Sequence, residues 1–302
     1  MIAIDLGSNT IRFIEYDGIL WGKSYEKIVR AAESLHSTNK ICEDALIRIL
    51  NAIDEAKSCL DFSNNEVVAV TTAALRMASN GEEMIARIYE QCGIKFKIID
   101  GEREAQLTLT AVKNRLNELQ INSASFVLAD IGGGSTELIS CNHEKTHTIS
   151  LPIGIVTMSE KAVDIPMLNQ LLDDFERKVS LFHRSLDCQI DPNRLVLTSG
   201  TPTTIRAYRM GMNYSNYDPI KINGTVLTKA DCIQTYQEFM DMDEPMRAMY
   251  VGVGREELIA TGILMVESLF KGLNLEEAII IDDGLREGIA LDYYGTYVIH
   301  TV

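Results

Sequence analysis

The stretch LADIGGGSTELI, residues 128–139, places an aspartate at the end of an apolar run, then three glycines, and a glutamate seven residues after the aspartate. Residues 4–11, IDLGSNTI, repeat much the same phrase near the start of the chain. Each stretch begins as a buried strand and breaks at glycine, which is typical of a hairpin closed by a tight turn. Two such hairpins indicate that one architecture occurs twice.

Both halves of the chain begin with strands and continue with strands that alternate with helices. Short strands are predicted at residues 2–6, 25–30, 67–71 and 125–131. Helices are predicted over 42–60, from its helical periodicity, and over 255–272. Pro166 is a good first-turn residue for a helix over 166–185. No proline precedes Pro152, whereas all 6 prolines of the chain follow from there. This change in composition supports a domain boundary near residues 120–124.

We therefore predict an α/β protein with two domains, residues 1–122 and residues 123–302. Their mixed sheets are expected to face each other across a central cleft. The last predicted helix, residues 284–294, is assigned to the second domain, with packing against the first domain as the alternative.

Composition and charge narrow the classes of function. The 302 residues carry a net charge of −15, from 28 basic and 43 acidic side chains. Such a surface repels nucleic acid, and it disfavours binding of any long polyanion along an extended surface. The apolar runs are too short to cross a bilayer, and no secretory leader is apparent at the start of this sequence. The 6 cysteines form no CxxC pair, so we interpret them as reduced thiols. We expect a cytoplasmic protein without nucleic-acid or membrane partners.

The second hairpin predicts a metal site. If the strands pair around Gly132–Ser135, Ile131 faces Thr136 and Asp130 faces Glu137. Directly opposed side chains lie within roughly 5 Å, where like charges destabilise a sheet. Two acids in this position require a divalent cation or a shared proton, and Mg²⁺ binds through few carboxylates and through phosphate oxygens.

The glycines between these acids predict a phosphate site. Gly132, Gly133 and Gly134 allow successive backbone N–H groups to point at one anion, and Ser135 adds a hydroxyl. In the first hairpin the same register sets Asp5 opposite Arg12, so the acid there already has a cation beside it. That turn offers backbone amides together with Ser8 and Asn9.

Seven motifs occur in order along the chain. They are AIDLGSNTIRF, TTAALRMASN, IDGEREAQL, LADIGGGSTEL, LPIGIVTM, LTSGTPTTI and DDGLREGIALDYY. Together they resemble the exopolyphosphatase / guanosine-pentaphosphate phosphohydrolase (Ppx/GppA) family, from residue 2 to about residue 294. That family belongs to the actin–Hsp70–sugar-kinase superfamily. The resemblance therefore implies two actin-like (ASKHA, ribonuclease H-like) domains.

The resemblance also implies Mg²⁺- or Mn²⁺-dependent hydrolysis of a terminal phosphoanhydride in polyphosphate, in guanosine pentaphosphate, or in both. Glu104 would be the catalytic acid that orients or deprotonates water, and Arg76 would clamp a phosphate. The implied phosphate-binding residues are Ser8, Asn9, Gly132, Gly133, Gly134, Ser135, Gly200 and Thr201. The implied metal ligands are Asp130 and Glu137, together with Asp5.

Simpler interpretations remain beside these. Glu104 is also explained as an acid in the first turn of a helix, where the helix dipole favours negative charge. Thr201 is also explained as the cap of an ordinary strand-to-helix turn. Two other functions stay open, an ATP-dependent kinase or ATPase of the same fold and a non-catalytic sensor of a nucleotide or alarmone. A homodimer is one candidate assembly. The chain departs from the family at Thr157, where many members have arginine.

Overall fold

The computed structural model describes residues 1–143, 145–186 and 194–295, and its contacts divide the chain into two units. Unit 1 comprises Met1–Asn114 together with the chain from Gly284 onward, and unit 2 comprises Arg115–Asp283. The predicted boundary at 122/123 therefore lies eight residues beyond the first division. The division lies within the helix Gly101–Glu118. Arg115, the first residue of unit 2, binds Asp283, the last residue of that unit, through its guanidinium.

Each unit is built on one mixed sheet. The strands are β1 (Ile2–Leu6), β2 (Thr10–Tyr16), β3 (Trp21–Ile28), β4 (Val67–Thr71), β5 (Phe96–Ile98), β6 (Ser125–Ile131), β7 (Thr136–Asn142), β8 (Lys145–Leu151), β9 (Leu195–Thr198), β10 (Val226–Thr228) and β11 (Glu277–Ile280). The sheet of unit 1 has the order β3-β2-β1-β4-β5, and that of unit 2 has the order β10-β11-β9-β6-β7-β8. In both units an antiparallel three-strand meander (β1–β3, β6–β8) leads into parallel pairing with the next strand in the sheet.

Helices fill the connections between these strands. They are α1 (Leu35–Thr38), α2 (Glu43–Cys59), α3 (Ala73–Met77), α4 (Gly81–Cys92), α5 (Gly101–Glu118), α6 (Ile155–Lys161), α7 (Ile165–Ser185), α8 (Gly200–Arg209), α9 (Pro219–Ile222), α10 (Lys229–Asp241), α11 (Glu244–Val251), α12 (Ile259–Leu273) and α13 (Leu285–Tyr294), with a 3₁₀ turn at Tyr214–Asn216. None of the helices in the described ranges has the length and apolar composition that crossing a membrane would require.

The last helix, α13, belongs to the core of unit 1. Its side chains Leu285 and Ile289 are buried together with Ala3 and Val70 of the sheet. The packing against α5 is close, because a Cβ on Gly288 would lie 2.0 Å from the backbone oxygen of Leu107. Only glycine fits at this position, so the helix is held tightly on the sheet.

The core of unit 2 lies between its sheet and the pair of helices α7 and α12. Phe175 and Val179 of α7 are buried with Val266 and Phe270 of α12. Asp164 begins α7 by accepting a hydrogen bond from the Met167 amide at 2.8 Å. The predicted helix over 166–185 is thereby confirmed to within one residue. The sheet edge that carries the carboxyl ends of β6 and β9 holds the candidate site of this unit.

Two sequence predictions were wrong in their boundaries. The strand predicted at residues 25–30 is β3, Trp21–Ile28. As an edge strand it buries few side chains, so its alternation is weak in the sequence. The helix predicted over 255–272 begins only at Ile259, because Gly252 and Gly254 with φ of +87° and +90° lead into a turn there.

Candidate active site

The register of both glycine hairpins is as predicted. In unit 1, Asp5 lies opposite Arg12 across β1 and β2. In unit 2, Asp130 lies opposite Glu137 across β6 and β7, and Ile131 lies opposite Thr136. Opposed residues of an antiparallel pair project from the same face of the sheet. The two acids of unit 2 therefore lie side by side, whereas the acid of unit 1 has a guanidinium beside it.

The second glycine turn is fixed by the start of α6. The Gly132 amide closes the turn on the Ser135 carbonyl at 2.9 Å. The carbonyls of Gly132 and Gly133 accept hydrogen bonds from the amides of Ile155 and Val156 at 3.0 and 2.8 Å. The carbonyls of this turn are thus occupied by the first amides of α6.

Gly154 lets the two segments meet backbone to backbone. A Cβ on Gly154 would lie 2.5 Å from the backbone carbon of Gly133 and 2.6 Å from the backbone nitrogen of Gly134. Thr157, the residue for which the sequence resemblance implies a loss of arginine, accepts a hydrogen bond from the Gly154 amide on its Oγ1 at 2.8 Å. This threonine therefore stabilises the start of α6 rather than reaching for an anion.

The first glycine turn has the same construction in unit 1. The Gly7 amide donates to the Thr10 carbonyl at 3.0 Å. Backbone amides within residues 29–32 donate to the carbonyls of Ser8 and Asn9 at 2.8–2.9 Å. In both hairpins, a glycine amide thus closes the turn by a hydrogen bond, and the amides of a second segment donate to the carbonyls of the turn.

This construction leaves backbone donors for a ligand. Within the described part of the chain, no acceptor takes a hydrogen bond from the N–H groups of Ser8, Asn9, Gly133 or Gly134. The Asn9 Oδ1 atom is also buried without a hydrogen-bond partner there. Successive N–H groups at a turn form an anion-binding concavity, so each turn is suited to a phosphate group.

Next to the glycine turn between β6 and β7, a row of polar side chains crosses four strands of the unit 2 sheet. Thr198 of β9 lies level with Asp130 of β6, Asp130 with Glu137 of β7, and Glu137 with Ser150 of β8. Glu137 is only 1% exposed, and its Oε1 accepts a hydrogen bond from Ser150 Oγ at 2.8 Å. The two carboxylates are thus in the middle of the row, with a hydroxyl on each side.

Asp130 and Glu137 suit a divalent cation that takes its remaining ligands from water and phosphate oxygens. The described residues contain no group of three or more His, Cys, Asp or Glu side chains arranged around a common point. Mg²⁺ is commonly bound by one or two carboxylates together with waters and phosphate oxygens. A pair such as Asp130 and Glu137, beside an anion-binding turn, meets that requirement.

Asp5 has a different environment in unit 1. Its Oδ2 lies 3.9 Å from Arg12 Nη1, and Arg12 Nε lies 3.5 Å from Glu26 Oε2. The Asp5 side chain is therefore part of an acid–base–acid row in its own sheet. Its role as a metal ligand stays a prediction.

The two predicted catalytic residues come together in unit 1. Glu104 lies in the first turn of α5, is 9% exposed, and accepts a hydrogen bond from Arg76 Nη1 on its Oε2 at 3.3 Å. The same nitrogen donates to the Ile99 carbonyl at 2.7 Å. Asp100 begins α5 by accepting the Arg103 amide at 2.8 Å. The carboxylate is thus buried beside a guanidinium that is itself anchored to the backbone.

The third predicted turn leads from β9 into α8. Ser199 has a φ of +81°, and its Oγ is a buried atom without a hydrogen-bond partner in the described ranges. Non-glycine residues in this conformation cluster at functional sites. A Cβ on Gly200 would lie 3.5 Å from Arg255 Nη1, so the Arg255 guanidinium covers this turn. The Thr201 hydroxyl lies against Gly262 of α12.

Sequence reasoning missed three residues here, Arg255, Ser150 and Gly154. Arg255 stands in the GREEL stretch, where an arginine directly after Gly252 and Gly254 and before two glutamates was the available signal. Gly154 stands in the LPIGIVTM motif, but the motif does not show which segment the glycine contacts. Ser150 gave no signal, because its importance depends on the strand that the fold brings beside it.

Comparison with known proteins decides the family. The model of the Ppx/GppA phosphatase family matches residues 23–296. The chain belongs to the Ppx/GppA phosphatase family. The resemblance of the seven motifs is thereby confirmed, and the family supports a hydrolase of the exopolyphosphatase kind.

Relatives match this Ppx/GppA protein over nearly its whole length. It is 27% identical to Exopolyphosphatase 2 of Mycobacterium tuberculosis, over 97% of this chain and 98% of the relative. It is 29% identical to Exopolyphosphatase 1 of Mycobacterium bovis, over 96% and 86%. The crystal structure of the Aquifex aeolicus family member matches with 26% identity and a TM-score of 0.73, over 97% of this chain and 96% of that one.

A second solved structure bears on the fold alone. An exopolyphosphatase from Cytophaga hutchinsonii has a TM-score of 0.81 at 21% identity, over 97% of this chain and 96% of that one. The predicted fold class, two actin-like α/β domains with mixed sheets, is confirmed for each unit.

Proposed function

We propose that this protein hydrolyses the terminal phosphoanhydride bond of a short inorganic polyphosphate or of guanosine pentaphosphate. The observation that carries the proposal is the unit 2 hairpin, where Asp130 and Glu137 face each other beside the N–H groups of Gly133 and Gly134. Two acids and an anion cradle at one turn suit a phosphate that arrives with a divalent cation.

Each residue has a defined task in this reaction. The amides of the glycine turns bind phosphate oxygens, and Ser135 adds a hydroxyl. Asp130 and Glu137 would hold Mg²⁺ or Mn²⁺, and such an ion, when bound, neutralises charge on the phosphate oxygens. Asp5 is proposed as a further ligand.

Glu104 is proposed to act on the attacking water. Its carboxylate orients the water and accepts a proton as the water oxygen bonds to the terminal phosphorus. The bond from that phosphorus to the bridging oxygen breaks, and the shortened substrate keeps this oxygen. Arg76 holds the Glu104 carboxylate and carries positive charge toward the phosphates.

Charge favours a short substrate. With 28 basic against 43 acidic residues, the chain offers little to attract a long polyanion along its surface. We therefore expect polyphosphate of a few units, or guanosine pentaphosphate, to be hydrolysed at least as well as polymers of hundreds of units.

Phosphate release measured side by side tests the proposal. The substrates are polyphosphate of several lengths, guanosine pentaphosphate and ATP, each with Mg²⁺. The native protein should release phosphate, and Glu104→Gln should lower kcat by about 100-fold or more. The matched control is Glu102→Gln, since Glu102 is an exposed acid in the same helical turn.

Three outcomes would contradict the proposal. Equal activity of Glu104→Gln and native protein would remove Glu104 from the reaction. Binding of the substrates without phosphate release would indicate a sensor. Transfer of the ATP γ-phosphate to an acceptor other than water would indicate a kinase.

A further inference from the structure

The first glycine turn of unit 1 is held by residues 29–34 (the bracing segment), which follow β3. The first two amides of this segment donate to the Asn9 carbonyl at 2.8 and 2.9 Å. The amide of Ala32 donates to the Ser8 carbonyl at 2.8 Å. The bracing segment therefore fixes the direction of two carbonyl groups in the turn.

The direction of the Ser8 carbonyl decides where a phosphate-binding amide points. The Ser8 carbonyl and the Asn9 N–H belong to one peptide unit, and a planar trans peptide directs these two groups to opposite sides. Within the described part of the chain, the Asn9 N–H donates to no acceptor. By holding the carbonyl on one side, the bracing segment therefore aims the N–H on the other side.

The backbone of the bracing segment is strained. Arg30 and Ser34 have φ values of +47° and +59°, and neither residue is glycine. A non-glycine residue in the left-handed region keeps this conformation only where the surrounding structure holds it there. The segment therefore needs support from another element.

Arg48 of α2 supplies this support. Its Nε donates to the Val29 carbonyl at 2.8 Å, and its Nη2 donates to the Arg30 carbonyl at 3.4 Å and to Glu33 Oε2 at 2.6 Å. Val29 and Arg30 thus use their amides to hold the turn and their carbonyls to bind Arg48. A planar guanidinium with several donors suits such a contact with two neighbouring carbonyls.

Helix α2 is a firm anchor for this arginine. Leu46, Ile49 and Ile53 of the helix are buried. Within the described ranges, the hydrogen bonds that the Arg48 side chain donates all go to residues 29–33. A substitution of Arg48 should therefore act on the bracing segment first.

We propose that Arg48 is a positioning residue for phosphate binding at the first glycine turn. Arg48 holds the bracing segment, the segment holds the Ser8 and Asn9 carbonyls, and the Asn9 N–H is thereby aimed at a phosphate oxygen. Arg48 acts through the backbone and does not contact the phosphate itself. This inference rests on the proposed function and adds to it a residue that acts from outside the ligand's contacts.

Two measurements on Arg48→Gln test the inference. The first is the affinity of the full-length protein for inorganic tripolyphosphate, measured by isothermal calorimetry in Mg²⁺. It should fall about tenfold, because a well-aimed hydrogen bond to a charged oxygen is worth at least that factor. The second is hydrogen exchange of backbone amides, measured by NMR. The amides of Val29, Arg30 and Ala32 should exchange faster, whereas those of α5 should keep their native rates.

Two control variants separate position from charge. Arg87→Gln removes an arginine that binds Glu43 on the surface of the same unit, and it should keep the native affinity and the native exchange at residues 29–32. Glu33→Gln removes the ion pair of Arg48 but leaves both carbonyl contacts. Its affinity for tripolyphosphate should stay within about twofold of the native value, since exposed ion pairs contribute little.

The outcomes distinguish this inference from the proposed function. Native affinity in Arg48→Gln would overturn the inference, while phosphate release by the native protein would leave the hydrolase standing. Weaker binding without faster exchange at residues 29–32 would overturn it as well, because the turn would not have been loosened. Equal weakening in Glu33→Gln would also overturn it, since the ion pair and not the carbonyl contacts would then matter. If the native protein does not bind tripolyphosphate, both proposals are wrong.

Discussion

At the scale of single residues, two buried acids of the candidate site each lie beside an arginine. Asp5 lies beside Arg12, and Glu104 lies beside Arg76. A buried carboxylate without compensation is costly, so these guanidinium groups stabilise the acids. Asp130 instead faces another acid, Glu137, which is why we propose the metal site at that hairpin.

Arg76 should prove to be a positioning residue for Glu104. Arg76→Lys keeps the charge, but the lysine side chain is one bond shorter and does not bring its ammonium to the position of Nη1, the nitrogen that donates to both the Ile99 carbonyl and the Glu104 carboxylate. Loss of a charged hydrogen bond is worth about 1.5–3 kcal/mol, which corresponds to a fall in kcat of about 10- to 100-fold.

The matched control for this change is Arg87→Lys, because Arg87 binds Glu43 on the surface of unit 1. Steady-state phosphate release measures both variants. A native kcat in Arg76→Lys would mean that Glu104 does not depend on this arginine.

The rate at which each cysteine is alkylated tests whether its side chain is buried in the folded protein. Burial, together with the nearby acids Asp231 and Glu267, raises the pKa of the Cys232 thiol to about 12. Because the thiolate is the reactive form, Cys232 should resist iodoacetamide at pH 8 in the folded protein and react after unfolding. Cys59 is exposed and should react in both states.

Peptide mapping by mass spectrometry after alkylation reads both positions in one experiment. Rapid labelling of Cys232 in the folded protein would contradict the packing of α10 against the core of unit 2.

At the scale of elements, each glycine turn is shaped by a segment that is distant in sequence. Alternation of side chains along the strands was enough to predict the pairing of Asp130 with Glu137 from the sequence. The bracing of the turn by α6 could not be predicted, because a backbone-to-backbone contact at Gly154 leaves no pattern in one sequence. The same holds for Arg255 over Gly200, which joins residues more than fifty positions apart.

Gly154→Ala should disturb the glycine turn. The added methyl would overlap the backbone of Gly133 and Gly134, and overpacking of this kind costs about 1–3 kcal/mol. Because the overlap displaces the amides that we assign to phosphate, affinity for tripolyphosphate should fall together with the melting temperature.

Gly93→Ala provides the comparison. Gly93 has a φ of +77° but no atom within 4 Å of an added Cβ, so alanine there brings strain without overlap. This variant should lose stability and keep native affinity for tripolyphosphate. If Gly154→Ala keeps the native affinity for tripolyphosphate, the turn at Gly133 and Gly134 is not part of the phosphate site.

At the scale of the whole molecule, the chain passes between the units at 114/115 and at 283/284. Arg115 and Asp283, the first and last residues of unit 2, form a two-point ion pair with distances of 2.8 and 2.9 Å. Asn223 donates to the same carboxylate at 3.0 Å. The proline pattern predicted one boundary near residue 122 and could not reveal this ion pair, since it joins the two ends of the unit.

Breaking this ion pair should destabilise the protein. Arg115→Met leaves the Asp283 carboxylate buried with less compensation, and such changes cost about 3–5 kcal/mol. Urea denaturation measures the loss. Lys27→Met, which removes a surface partner of Glu55, should change stability little. Equal effects of the two substitutions would contradict the role of Arg115.

The most direct test of the account is Mn²⁺ binding, measured by electron paramagnetic resonance from the signal of the free ion. We would compare the native protein, Asp130→Asn and the exposed-surface control Asp44→Asn in the presence of tripolyphosphate. The account predicts that native protein and Asp44→Asn deplete the free Mn²⁺ signal alike, beyond what tripolyphosphate alone removes, and that Asp130→Asn does not. Equal depletion by Asp130→Asn would contradict the central claim that the two acids across the glycine turn hold a divalent cation.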